Sequence, residues 1–213
     1  MNAYKTVKQA AADEFIINKS RFIGHAAPAG TEEAALAFLK KIRQEHRDAS
    51  HNCYAYAIGQ NAGIMRYSDD GEPGGTAGLP MMEVLRQREV VNVCVVATRY
   101  FGGILLGAGG LVRAYSHACA LALDAAQVAV MEKSQRWLIG IAYPRWDTVL
   151  HQLKSQPVQI EKTQFAASVT CTLLVREKDA PDLLPLLDTL TDGQAEKLLA
   201  EECYSLWPEE AAP

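Results

Sequence analysis

The chain has 213 residues, 49% of them hydrophobic and 22% charged, with a formal net charge of −4. That is the make-up of a soluble globular protein large enough to bury a sizeable core, and it excludes general electrostatic attraction to polyanions. No apolar run is long enough to cross a bilayer and no signal peptide opens the sequence. The charge is uneven: residues 1–130 hold 13 Lys/Arg against 12 Asp/Glu, and residues 131–213 hold 8 against 13. Any polyanion would therefore meet a local patch on the first half and find the acidic second half unfavourable. The five cysteines (Cys53, Cys94, Cys119, Cys171 and Cys203) show no paired spacing. They read as reduced, mostly buried thiols of a cytoplasmic protein rather than disulfides or zinc ligands.

Residues 1–13 are polar and read as a loose segment. Residues 14–17 and 21–26 read as two strands around a tight turn, which puts Lys19 and Arg21 at or beside that turn. Thr31 is a good N-cap, Glu32 and Glu33 favour a helix start, and Ala35, Phe38, Leu39 and Ile42 form the buried stripe of a helix ending near His46. Residues 53–58 read as a strand and 65–68 as its hairpin partner. His51 and Cys53, two apart, share one side of that strand. A buried thiol beside a strand-end histidine is the simpler reading of the pair, and a catalytic dyad the other.

Ser68 to Pro80 is a loop by every local rule, with turn acids, two prolines and four glycines. Thr76 is expected to cap a helix over 77–87, with Pro80 in its first turn. Asp69, Asp70 and Glu72 are three carboxylates within four positions. They can serve as turn and capping acids, pair with Arg66, Arg99 or Arg113, or hold a hard cation such as magnesium. Residues 90–97 are an apolar, β-branched run that reads as a buried central strand.

The strand ends on Thr98-Arg99-Tyr100-Phe101 and is followed by Gly102, Gly103, Gly107, Gly109 and Gly110. A helix running to about 126 follows these glycines, with Leu111, Tyr115, Ala118, Ala122 and Ala125 on one face and Arg113 and His117 on another. Glycines at a strand-to-helix junction permit positive φ and close backbone approach, and the first helical turn offers N–H groups to an anion. Tight helix–sheet packing is the competing use of the same glycines. The spacing fits neither the phosphate-loop nor the dinucleotide pattern. Arginine and aromatic groups here (Lys19, Arg21, Arg99, Tyr100, Phe101, Arg113) suit phosphates and stacked bases, or else core edges and loop acids.

From residue 134 the order reads strand 136–143, helix 146–154, strands 158–165 and 168–175, helix 180–190 and strand 202–207. This is the split β-α-β-β-α-β pattern of a ferredoxin-like domain, placing a short linker near 129–135.

Four stretches together resemble the IMPACT family and its bacterial YigZ-type branch. They are Lys19–Ile23, His51–Tyr56, Ser68–Pro73 with Gly75–Gly78, and Arg99–Gly103 running on to Gly107–Tyr115. The resemblance implies an α+β protein of two domains: residues 14–130 with a ribosomal-protein-type fold like elongation factor G domain four, and residues 134–207 with a ferredoxin-like fold. Eukaryotic members regulate translation by competing for a stress-kinase activator through a separate domain, and no settled activity attaches to bacterial members. The expectation is a non-enzymatic cytoplasmic protein that binds RNA or the ribosome, or a translation-related protein, with no cofactor. Its site would comprise Lys19, Arg21, Arg99, Tyr100, Gly102, Gly103, Gly107, Gly109, Gly110 and Arg113, with Asp69, Asp70, Glu72 and Thr76 packed on it. The rival expectations are a hydrolase or transferase of phosphorylated or peptide substrates, with those acids on a metal and His51 as base, and a protein-interaction adaptor.

Overall fold

The computed structural model describes residues 3–208. It is a mixed α+β protein whose strands pair antiparallel and whose chain forms two compact units, built mainly from Tyr4–Met131 and Glu132–Ser205.

The sheet of the first unit has the order β2-β3-β6-β4-β5, from Ala11–Ile17, Ser20–Pro28, Val93–Tyr100, His51–Ile58 and Ile64–Ser68. Helix α1 (Glu32–Glu45) covers one face, and α2 (Gly78–Gln87) and α3 (Gly107–Ala126) cover the other. Burial on both faces explains why β6 is apolar without alternation. Val93, Val95 and Ala97 meet α2 and α3, while Cys94 and Val96 meet α1. The strand begins three residues later than the apolar run implies. Asn92 sits at φ +53°, its side-chain oxygen accepts from the Gly59 N–H at 2.8 Å, and its carbonyl accepts from the Ala29 N–H at 2.7 Å. Thr31 caps α1 as expected, its side chain accepting from the Ala34 N–H at 3.2 Å.

Helix α3 buries Gly110, Leu111, Ala114, Tyr115, Ala118, Cys119, Ala122, Leu123 and Ala126, a stripe of small residues with three large anchors. Ala125 lies at its margin rather than in it. Small side chains bring the helix against β3, where a Cβ added at Gly24 would stand 2.1 Å from the Ala118 carbonyl oxygen.

The N-terminal segment is not loose. Tyr4–Val7 forms β1, paired with Val128–Met131, and β2 already begins at Ala11. One turn of alternation around Val7, which is 1% exposed, is too short to announce a strand without its partner. Residues 1 and 2 lie outside the described residues.

The second unit runs through the rest of β7 (Val128–Ile141), α4 (Tyr143–Leu153), β8 (Val158–Phe165), β9 (Val169–Arg176), α5 (Ala180–Thr191) and β10 (Glu196–Pro208). β9 lies between β7 and β8, and β10 pairs with β7. Ile139, Ile141, Trp146, Val149, Leu153, Leu173, Leu183 and Leu187 make its core. Residues 129–135 are strand, so the short linker expected there is replaced by continuous β7. β10 starts six residues earlier than expected, because its first half is largely exposed and carries no inward alternation.

On the α1 face, His25 is 7% exposed, its Nε2 has no hydrogen-bond partner among the described residues, and its ring lies 5.0 Å from that of His46. Burial, helped by His46, lowers its pKa to about 4 from 6.5. A histidine depressed in the folded state binds fewer protons than in the unfolded chain, so its stabilising contribution is complete above 6.5 and is lost as pH falls towards 4. Urea titrations should show a loss of about 2 kcal/mol over that window, and His25→Leu should flatten it. Gly24→Ala should cost roughly 2–4 kcal/mol by overpacking, whereas Gly30→Ala, with nothing within 4 Å, should change stability little.

Candidate functional site

The acidic loop between β5 and α2 spends each carboxylate on a different task. Asp69 Oδ1 accepts from the N–H groups of Ala77 (3.0 Å) and Gly78 (2.8 Å), and Oδ2 from that of Gly75 (2.8 Å). Burial raises the Asp69 pKa, but the three N–H donors outweigh it and hold the carboxyl below its ordinary value. Asp69 thus caps α2 from across the loop, the role expected of Thr76. Thr76 instead donates to the Pro73 carbonyl at 2.7 Å, and the helix has no capping side chain at its own N-cap, Ala77. Asp70, at φ +45°, accepts from Arg43 (2.7 Å) and from the Asn52 N–H (2.7 Å). Its carbonyl accepts from His51 Nδ1 at 2.8 Å, so that nitrogen carries the proton in neutral His51. Cys53 Sγ donates to the Asp69 carbonyl, and burial pushes its thiol up to about 12. His51 and Cys53 each serve the loop backbone and form no nucleophile–base pair.

Glu72 turns inward. Its Oε1 accepts from Arg99 Nη1 and from the Tyr115 hydroxyl, both at 2.7 Å, with His51 Nε2 at 3.9 Å. Burial first, then Cys53 and Glu72, raise the Tyr115 pKa. Asp69, Asp70 and Glu72 therefore diverge. Among the described residues no three His, Cys, Asp or Glu side chains gather as a group that could hold a metal.

Arg99, expected at the surface, is 5% exposed. Its guanidinium lies between the rings of Phe22 (5.4 Å) and Phe101 (5.3 Å), and Nη2 reaches Ser20 Oγ at 3.5 Å. This corrects its assignment to an outward anion site. Tyr100 faces the other side of the sheet, its hydroxyl 2.9 Å from His46 Nδ1.

The remaining expected groups lie outward. Lys19, at φ +63°, is exposed and has no ion pair among the described residues. Arg21 is exposed, pairs with Glu14 at 2.6 Å and stacks 5.8 Å over Tyr100. Gly102 permits a close crossing: its added Cβ would stand 2.0 Å from the Lys19 carbonyl carbon, and its N–H donates to Ser20 Oγ at 3.1 Å. Gly103 and Gly107 take φ +82° and +68°. Helix α3 starts after Leu106 with no capping side chain and no acid in its first turn, through Gly107, Gly109 and Gly110. Arg113 is exposed, lies alongside Gly109 and has no ion pair among the described residues. Ser20, fully buried and accepting from both Arg99 and Gly102, was missed, because a serine in a tight turn looks like any turn residue.

These elements define a mixed α+β chain, and it is similar to known proteins. Residues 18–123 match the Impact N-terminal domain. The IMPACT family member YvyE of Bacillus subtilis is 40% identical over 206 residues, covering 96% of this chain and 94% of its own. YigZ of Escherichia coli is 50% identical over 101 residues, 46% of this chain and 50% of its own. A solved structure described as that of a hypothetical protein matches at TM-score 0.58 and 30% identity, covering 94% of this chain and 98% of its own. The chain belongs to the IMPACT family.

Removing one member of a buried ion pair strands the other. Glu72→Ala should therefore destabilise by about 3–5 kcal/mol, and the double variant Arg99→Met with Glu72→Leu should recover most of that in chemical denaturation.

Proposed function

We propose that this protein is a non-enzymatic, cytoplasmic RNA- or ribosome-binding protein that modulates translation. The carrying observation is the uncapped start of α3 beside Arg113, close to an acidic loop whose carboxylates are all committed internally. That leaves helix N–H groups and an unpaired guanidinium for a phosphate. Lys19 and Arg21 add cations at the 18–20 turn. The family resemblance supports a role in translation. The β-α-β-β-α-β order and the strand order of the second unit support a ferredoxin-like fold there. The helix-covered sheet of the first supports a ribosomal-protein-type fold.

Each cation on a phosphate releases a counterion, so the salt dependence of affinity counts contacts. With Arg99 withdrawn, Lys19, Arg21 and Arg113 give a slope of about −2 on single-stranded RNA. Arg113→Ala should flatten it by a little under one unit, and Arg99→Ala should lower stability without changing the slope. Crosslinking and sequencing of bound RNA in cells should show enrichment at a ribosomal RNA site. No RNA binding by the wild type at low salt would remove this reading.

A further inference from the structure

Phe101 follows β6 directly and is 48% exposed, yet its surroundings fix it. Its own N–H donates to Ser50 Oγ at 3.0 Å, and the N–H of the next residue, Gly102, donates to Ser20 Oγ at 3.1 Å. The Arg99 guanidinium packs on the ring at 5.3 Å. Arg99 is itself buried, bonded to Glu72 and packed on the Phe22 ring. The exposed ring is thus one end of a stack, Phe22–Arg99–Phe101, whose other end is anchored in the core. An aromatic side chain already held in place pays no ordering cost on binding a flat partner.

We propose that Phe101 is a stacking platform for an unpaired base, making the ligand single-stranded RNA. This rests on the RNA reading above and names the form of RNA. One feature selects a nucleotide over a protein side chain. The backbone of Lys19, an exposed residue with no ion pair among the described residues, crosses directly against Gly102, next in the chain to Phe101, so a cation belongs to the same corner of the fold, and the phosphate of a stacked nucleotide needs a cation. A base face stacks on the ring only where the strand is unpaired, because a duplex keeps its base faces covered. Stacking on aromatics accepts any base, so the site is expected to be sequence-tolerant. Arg99 and Glu72 are positioning residues here: they hold the ring and do not touch the ligand.

The test is fluorescence anisotropy with labelled oligoadenylate and with an RNA duplex of the same length. Wild type should favour the single strand. Phe101→Leu should weaken single-strand binding about tenfold while leaving the salt slope unchanged, because a ring releases no counterion. Phe101→Trp should keep the affinity, and the introduced indole should be quenched on binding. Urea unfolding of each variant separates loss of fold from loss of the platform. Phe101→Leu binding as tightly as wild type, with Arg113→Ala still weakening it, would overturn the platform and leave the RNA reading standing. Equal losses on duplex and single strand would overturn it too. Wild type that binds neither RNA would overturn both.

Discussion

A guanidinium in the interior sets the terms for everything around it. Arg99 carries a permanent charge at 5% exposure, and the fold tolerates it only because Glu72 meets it at 2.7 Å. That single contact ties the β5–α2 loop to the end of β6. The Tyr115 hydroxyl on the same Glu72 oxygen ties in α3. The guanidinium also packs over the rings of Phe22 and Phe101, so its flat shape is used as well as its charge. A lysine could meet the charge requirement and none of the planar ones.

With Glu72 drawn inside, the loop must satisfy its other acids locally. Asp69 folds back onto three N–H groups at the start of α2, and Asp70 bridges Arg43 of α1 to β4 through the Asn52 N–H. Each carboxylate is a tether to a different element. The three acids are thereby drawn to different partners instead of converging on one point.

Features that depend on local pattern were legible in the sequence. The Thr31 cap, the α1 stripe, the β2–β3 turn, the both-face burial of β6 and the order of elements after β7 all rest on residues a few positions apart. What depended on distant partners was not. β1 exists because β7 is there to pair with it, and the Asp69 cap reaches across the loop to displace the adjacent Thr76. Arg99 was readable in principle: it shares strand parity with Val93, Val95 and Ala97, all of which face α2 and α3. Taking it as a free strand-end cation ignored that alternation. Arg113, by contrast, falls off the α3 stripe of Gly110, Leu111, Ala114 and Tyr115, and it is outward as its position implies.

The two arginines show how a chain with net charge −4 can keep a cationic spot. Charge balance over the whole sequence matters less than which charges are already spent. Glu72 is consumed by a buried cation, Asp69 by backbone dipoles and Asp70 by Arg43, so none of the three is left to neutralise the outward groups. Had Arg99 faced solvent and Glu72 with it, the two would have cancelled at the surface and left the α3 start beside a neutral patch. Burying the pair instead removes one acid from the surface together with one cation and turns the cation into a support for Phe101. The outward cations that remain are Lys19, Arg113 and, in part, Arg21, whose pairing with Glu14 is solvent-exposed and therefore weak.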